Sequence, residues 1–461
     1  MPVLAAYMVP HPPMIIPAVG KGSEQQVAET IRAYREVADD IARLRPETVI
    51  ISSPHAALYA DWFHISPGKA ASGDFGRFGA PQVSFREQYD TELVREICTL
   101  AKEQDFPAGT AGERERELDH GTLVPLYFTE QEYTGFQLVR LGLSGFSLAE
   151  HYAFGQIIRR AVERTGRKAV YIASGDLSHK LQSYGPYGFA PEGPAYDKRV
   201  MDVCARGAFG ELLDFDEAFC DKAAECGHRS FVIMAGVLDG QAVEARQLSH
   251  EDVTGVGYGV CIFHPGEADE NRRFLEQYRE KQAEACRTRR KAEDSYVSLA
   301  RQTIEDYIRT GRKIPVPEKL PEEMTSRRAG VFVSLHEDGR LRGCIGTILP
   351  CRGNIAEEII DNAVSAATRD PRFSPVRREE LEALEIHVDV LSEPEPIESR
   401  DQLNVKRYGV IVSCGSRRGL LLPDLDGVDT VDDQVSIAMR KGGISARDPY
   451  TLERFEVIRH H

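Results

Sequence analysis

The chain lacks any run that approaches the ~20 consecutive apolar residues of a membrane span. Its apolar beginning carries no Lys or Arg before Lys21 and is broken by five prolines, so it does not resemble a secretory signal. The nine cysteines are odd in number and none belongs to a Cys-x-x-Cys pair, which argues against a disulfide framework and a structural zinc site. We therefore expect a cytoplasmic protein with free thiols and no membrane partner.

The chain also has fewer basic than acidic residues. Lys and Arg number 57 against 72 Asp and Glu, which gives a net charge of −15. Without a basic surface to attract phosphates, nucleic acid is not an expected partner. The composition, 42% hydrophobic and 28% charged, is that of an ordinary globular protein. At roughly 150 residues per domain, the 461 residues predict two or three domains.

A highly charged segment divides the chain. In residues 267–294, 16 of 28 residues are charged and neither Gly nor Pro occurs, which predicts a solvated helix. We place a first domain at 1–266, a charged helical connector at 267–291 and a second domain at 292–461. Each half is expected to fold alone.

The first domain alternates helical and extended patterns. Apolar residues recur at spacings of three and four in 27–44, and the continuous apolar run 49–51 follows; residues 148–166 and 169–173 repeat this plan. Short, wholly apolar strands are typical of a sheet covered on both faces. The pattern predicts an α/β domain with a central, mostly buried sheet. Both strands lead into histidine-bearing segments, at the sheet edge where ligands bind in open α/β folds.

Five polar residues of the first domain lie in segments rich in Gly, Pro and Ser: His11, His55, His120, His179 and Glu225. Singly, each histidine is typical of a hydrogen-bonded surface residue, but four together on loops indicate a site. Two imidazoles and one carboxylate can bind a divalent metal on one face and leave positions open, as in non-haem Fe(II) oxygenases. The other two histidines would serve as acid/base groups. Spacing alone does not assign the roles.

The order of the motifs resembles a known family. The motifs HPP, SPH, DHGTLVPL and SGDLSH are similar to those of LigB-type (class III) extradiol ring-cleavage dioxygenases and of their Memo-like relatives, over about residues 1–265. The resemblance implies that His11 and His55 are metal ligands, that His120 assists dioxygen and that His179 is the acid/base group. We expect Asp176 to orient the His179 imidazole.

The third ligand has two candidates. The dioxygenases supply a glutamate from a late helix, whereas Memo-like proteins have a cysteine in a Cys-Gly-Arg-His context, and this chain reads ECGHR at 225–229. We predict Glu225, because a carboxylate suits Fe(II), and keep Cys226 as the alternative. The expected cofactor is Fe(2+), with Zn(2+) as the alternative.

The second domain carries a different set of motifs. LRGCIG at 341–346, with the segments 362–376 and 385–397, resembles AMMECR1-like domains over about 292–461 and implies a smaller α+β fold. Alternation around an Asp-Gly pair predicts a hairpin leading into LRGCIG. This half is expected to be metal-free, since beyond His336 and His387 it lacks a group of histidines and carboxylates comparable to that of the first domain. The fusion resembles components of the AmmeMemoRadiSam system, whose name implies a radical-SAM protein partner.

Three functions follow from these patterns. The first is a non-haem Fe(II) dioxygenase-like enzyme that acts on a catechol-like or other oxygenated substrate with dioxygen, and the four histidines favour it. The second is a metal-binding, non-ring-cleaving Memo-like partner of a radical-SAM protein, which the AMMECR1-like fusion favours. The third is a zinc hydrolase, because two histidines and a carboxylate also make a catalytic zinc site.

Overall fold

The computed structural model describes residues 3–114, 117–337, 340–425 and 427–461. The chain divides into two compact units, Met1–Arg279 and Glu280–His461. The division falls inside the segment predicted as the connector. Within the described part of the chain, no helix has both the length and the apolar character that a membrane crossing needs.

The first unit contains strands and helices in alternation. Its strands are β1 (Val3–Val9), β2 (Thr48–Ser53), β3 (Phe63–His64), β4 (Ala70–Phe75), β5 (Ala80–Gln88), β6 (Ala108–Gly109), β7 (Gln137–Gly142), β8 (Ala169–Ser174), β9 (Gln241–Glu251) and β10 (Tyr258–Ala268). Its helices are α1 (Pro17–Gly20), α2 (Ala28–Leu44), α3 (Thr91–Glu103), α4 (His120–Glu132), α5 (Leu148–Thr165), α6 (Glu192–Arg206), α7 (Glu217–Ala223) and α8 (His228–Val237), and α9 (Phe274–Ala292) begins in it.

A six-stranded sheet in the order β7-β2-β8-β1-β10-β9 forms the centre of this unit. The strands β7, β2, β8 and β1 run parallel, and β10 and β9 add antiparallel strands at one side. Successive residues face opposite cores: Ile50 packs in one hydrophobic cluster, and its neighbours Val49 and Ile51 pack in the other. Both faces are covered, which explains the wholly apolar strands and confirms the predicted α/β class.

The parallel strands bring the motifs to one edge. Val9 at the end of β1 pairs with Ser174 at the end of β8, and Ser52 near the end of β2 pairs with Ala173. The three carboxyl ends therefore lie side by side. The segments that follow them carry the predicted site residues.

The second unit is built on an antiparallel sheet. Its strands are β11 (Val331–Glu337), β12 (Arg340–Gly346), β13 (Glu385–Leu391), β14 (Glu395–Ile397), β15 (Tyr408–Cys414), β16 (Arg417–Leu421) and β17 (Thr451–His460). Its helices are α10 (Ser295–Thr310), α11 (Glu322–Ser326), α12 (Ile355–Thr368) and α13 (Val431–Lys441). The sheet order is β12-β11-β13-β17-β15-β16, with β14 paired to β17.

Alternation along β11 separates the two faces of this sheet. Val331, Val333 and Leu335 are buried in a core that also contains residues of α10 and α12, whereas Ser334 and His336 lie on the opposite face. The pairing of β11 with β12 confirms the predicted hairpin strands. The Asp-Gly pair at 338–339 lies outside the described residues. The antiparallel sheet with helices confirms the α+β class.

Helix α9 begins in the first unit and ends in the second. Although most of its residues are exposed, Leu275 is 1% exposed in the core of the first unit, and Cys286 is buried, with its thiol near the Glu382 carbonyl oxygen. The charge pattern predicted a solvated helix and did not reveal these two anchors.

Two fragments that end at different positions test how much Leu275 stabilises the first unit. A fragment 1–279 keeps Leu275, whereas a fragment 1–268 loses it. Because burial of a leucine side chain stabilises a fold by roughly 1.5–3 kcal/mol, we expect the shorter fragment to be less stable by about that amount in urea unfolding. Equal unfolding midpoints and slopes for the two fragments would show that the start of α9 does not stabilise the first unit.

Candidate metal centre

His11 follows β1 and is 2% exposed. Its Nδ1 lies 3.0 Å from the Ser174 hydroxyl oxygen, and that hydroxyl donates to the Gly121 carbonyl oxygen at 2.6 Å. Because Ser174 donates its hydroxyl proton to Gly121, its oxygen must accept a hydrogen bond from His11 Nδ1–H. The proton of the neutral His11 ring is therefore on Nδ1, and Nε2 carries the free lone pair. Burial, together with nearby His55, lowers the pKa of His11 to about 3, so the ring is neutral. A neutral imidazole with an unprotonated Nε2 is a metal donor.

His55 follows β2, and its Nε2 faces the Nε2 of His11. The two Nε2 atoms of His11 and His55 are 3.0 Å apart. With metal–nitrogen bonds of about 2.0–2.1 Å, two adjacent imidazole ligands of one ion lie about 3–3.4 Å apart. The spacing of this pair is therefore that of two ligands to one cation.

Cys226 supplies the third donor of this group. Its Sγ lies 3.7 Å from His11 Nε2, and donor atoms of His11, His55 and Cys226 all lie within 4.8 Å of one another. The backbone N–H of Asp176 donates to the sulfur at 3.3 Å. Burial, with the neighbouring carboxylates, raises the pKa of the thiol. Coordination to a cation would lower the pKa of this thiol, because a thiol that binds a metal is deprotonated.

Glu225, the predicted third ligand, has a different position. Its Oε2 accepts the backbone N–H of His228 at 2.6 Å, at the start of α8, where a carboxylate satisfies a free helix amide. Burial raises the pKa of Glu225 to about 7. Among the described residues, the donor group that contains His11 and His55 includes Cys226 and not Glu225.

A close contact between two glycines sets the position of Cys226. A Cβ placed on Gly175 would lie 2.1 Å from the Gly227 Cα. Only two residues without side chains allow the segment after β8 to approach the turn before α8 so closely. This approach sets the sulfur of Cys226 beside Asp176.

The carboxylate of Asp119 joins the DHG motif to the SPH motif and to a buried arginine. Arg140 Nη2 lies 2.7 Å from Asp119 Oδ2, and Ser53 donates to Asp119 Oδ1 at 2.5 Å. Thr122 also donates to this carboxylate, which caps α4. Burial raises the pKa of Asp119, but the effect of Arg140 and the hydroxyl donors is larger. The pKa of this carboxyl therefore lies below its usual value. Asp119 therefore positions His120, the first residue of α4.

His120 lies directly against the metal-donor histidines. Its ring centroid is 4.0 Å from that of His55 and 5.4 Å from that of His11. Burial and these two neighbours lower its pKa to about 3, so it is neutral. The half-exposed ring of Phe78 meets His120 edge-on at 5.4 Å.

His179 and Asp176 form a second group of possible donors with Cys226, in which the donor atoms all lie within 4.8 Å of one another. Asp176 Oδ1 accepts the backbone N–H of His11 at 2.8 Å, and its Oδ2 is 3.9 Å from His179 Nε2. That distance is too long for a hydrogen bond. His179 Nε2 is buried without a hydrogen-bond partner among the described groups, and the exposed ring of Tyr187 stacks on the imidazole at 5.1 Å. Burial raises the pKa of Asp176 to about 6 and lowers that of His179.

The structure thus brings all four predicted histidines and Asp176 to one sheet edge. Sequence reasoning did not identify the positioning residues Ser174, Asp119 and Arg140. Ser174 and Asp119 stand inside the SGDLSH and DHG motifs, which was the available signal. Arg140 lies in β7 without a motif, and only the fold places it beside Asp119.

Comparisons with known proteins cover both units. The family described as the catalytic LigB subunit of aromatic ring-opening dioxygenase matches residues 5–261, and the AMMECR1 family matches residues 297–460. A protein of Clostridium acetobutylicum is 40% identical over 463 residues, which is 98% of both chains. A protein of Thermotoga maritima is 53% identical over 171 residues, which is 36% of this chain and 98% of its own.

Two solved structures are also similar. An uncharacterized protein from Pyrococcus horikoshii is 33% identical with a TM-score of 0.34, and it covers 36% of this chain and 88% of its own. An uncharacterized protein from Escherichia coli K12 is 14% identical with a TM-score of 0.39, and it covers 57% of this chain and 99% of its own.

Proposed function

Because this chain belongs to the family of the catalytic LigB subunit of aromatic ring-opening dioxygenase and carries an AMMECR1 domain after it, we propose that its first unit is an Fe(II)-dependent dioxygenase for a small catechol-like substrate. One observation carries the proposal. The rings of His55 and His11, the two candidate metal-donor histidines, lie 4.0 and 5.4 Å from that of His120, and His179, whose Nε2 has no hydrogen-bond partner among the described groups, has a donor nitrogen within 4.8 Å of the Cys226 sulfur.

The donor set fits a divalent transition metal. His11, His55 and Cys226 would hold it, with Ser174 fixing the tautomer of His11 as outer partners of ligating histidines commonly do. Bound there, iron would supply open coordination positions for the two substrate oxygens and for dioxygen. Zinc fits the same donors and is the alternative metal.

The remaining side chains supply acid/base chemistry and positioning. His179 takes the proton from a substrate hydroxyl at Nε2, because this nitrogen has no partner of its own and the ring is neutral. Asp176 holds the backbone of His11 and lies close enough to stabilise the imidazolium that forms. His120 offers a neutral ring beside the metal donors, and Tyr187 covers one face of His179.

A second function is favoured by Cys226. As the third ligand, its thiolate would be softer than the carboxylate that the dioxygenase resemblance implies. The second proposal is therefore a metal-binding protein without ring cleavage that works with a radical-SAM protein. The two proposals share the metal site and differ in the reaction with dioxygen.

Dioxygen consumption separates the two functions. The protein is loaded with Fe(II) anaerobically and then mixed with simple catechols and dioxygen. We expect dioxygen uptake with a ring-opened product, and its loss in His55→Ala measured in parallel. Iron that is bound stoichiometrically but gives no uptake with any catechol tested would contradict ring cleavage and support the second function.

A further inference from the structure

A second group of histidines lies in the AMMECR1 unit, far along the chain from the centre described above. Ser334 of β11 pairs with His387 of β13, and directly opposed residues of an antiparallel pair share a face. His336, two residues along β11, therefore projects from the same face as His387. His460 of β17 pairs with Val388, which places His461 beside His387. The sheet register thus gathers three imidazoles from three neighbouring segments.

The contact between two of these rings repeats the geometry of the first centre. The Nδ1 atoms of His387 and His461 are 2.9 Å apart, against 3.0 Å for the two Nε2 atoms of His11 and His55. Both values approach the separation of about 3–3.4 Å for adjacent imidazole ligands of one ion. The second pair is therefore spaced as ligands of one cation, as the first is.

The other ring nitrogen of His387 faces a carboxylate. Glu385 Oε1 lies 3.4 Å from His387 Nε2. Metal-bound histidines commonly direct their second nitrogen to such a group, which fixes the ring and strengthens the donor. His387 therefore has a carboxylate near Nε2, while its Nδ1 faces His461.

One nitrogen of the third imidazole lacks a hydrogen-bond partner among the described groups. His336 Nδ1 is buried and has no hydrogen bond among the described groups, and the ring meets His387 edge-on at a centroid distance of 5.2 Å. The three rings do not yet present nitrogens within 4.8 Å of one another, so binding requires the His336 ring to turn toward the pair. An unpartnered buried nitrogen gives up no hydrogen bond in that turn.

The surrounding charges also permit a cation. On this strand pair, the guanidinium of Arg459 is paired with Asp389 at 2.8 Å. Glu385, beside His387, is paired in turn with Arg289, whose Nη1 lies 3.4 Å from Glu385 Oε2. Both guanidinium groups therefore have carboxylate partners, and neither opposes a cation as an unpaired positive charge.

We propose that His336, His387 and His461 form a second metal site, on the outer face of the sheet in the AMMECR1 unit, for a first-row divalent cation that prefers imidazole, such as zinc, nickel or copper. The ion would join β11, β13 and the residue that follows β17. This proposal does not depend on the function proposed for the first unit. It replaces the expectation that the second half is metal-free.

Cobalt(II) titration of the full, chelator-treated chain tests the site. Cobalt takes the place of zinc and gives a sulfur-to-metal absorption band only where a thiolate is a ligand. We expect two equivalents to bind, one with the band and one without it. His387→Ala and His461→Ala should each weaken the equivalent without the band at least tenfold, and His55→Ala should remove only the equivalent with the band.

A neighbouring histidine provides the matched control. His460 stacks on Tyr296 and pairs with Asp294, so His460→Ala should leave the equivalent without the band unchanged. His461 is exposed, so its replacement does not disturb the core. Wild-type affinity for this equivalent in both His387→Ala and His461→Ala would overturn the proposal, and the 2.9 Å contact would then be a hydrogen bond alone. The result in His55→Ala reports separately on the first centre.

Discussion

The His55→Ala protein is expected to lose stoichiometric Fe(II) binding. Removal of a direct ligand from a three-donor site should weaken the metal by more than 100-fold, since loss of an outer partner alone costs about 10–100-fold. Cys226→Ser should weaken it comparably, because the sulfur lies in the same donor group as His11 and His55. Metal analysis of anaerobically loaded, desalted protein measures both effects.

Two variants control this experiment. Glu225→Gln keeps an oxygen acceptor for the start of α8 and should retain the metal. His264→Gln changes a histidine of the same unit that pairs with Asp40 and should also retain it. Full metal in His55→Ala would contradict the site. Metal lost in Glu225→Gln but kept in Cys226→Ser would return the third position to the carboxylate.

The second large effect concerns His179. A positioned acid/base group contributes about 10²–10⁴-fold to rate, so His179→Ala should lower turnover of a catechol by that factor while iron stays bound. The prediction rests on the buried, unpartnered Nε2 and on its distance of 3.9 Å from Asp176. Turnover and iron content are measured on the same preparation.

Tyr187→Phe is the matched control for His179→Ala. It keeps the aromatic ring that stacks on the imidazole and should leave turnover within a few-fold of the wild type. If His179→Ala loses its iron, His179 is a ligand. If turnover is unchanged, proton transfer belongs to another group.

The positions of the histidines could be predicted from the sequence because they depend on strand order and direction. Parallel strands end at one edge, so residues that follow β1, β2 and β8 must meet there. Which of Glu225 and Cys226 lies beside the histidine donors could not be predicted in this way. Adjacent residues in a turn point in different directions, and here the direction depends on contacts with Gly175 and the start of α8.

In the second unit, too, local contacts could be predicted from the sequence and contacts between distant segments could not. The hairpin of β11 and β12 follows from alternation and turn residues, which are local signals. The meeting of His336, His387 and His461 depends on the register of strands distant in sequence, which no local pattern encodes. The buried side chains of Leu275 and Cys286 on a charged helix are likewise tertiary contacts.

The central claim is that His11, His55 and Cys226 hold one metal ion. X-ray absorption at the zinc edge tests it most directly, with one equivalent of zinc in the His387→Ala protein so that only the first centre is filled. The structure predicts one sulfur neighbour at about 2.3 Å together with nitrogen at about 2.0–2.1 Å. A shell of nitrogen and oxygen alone, without sulfur, would contradict it.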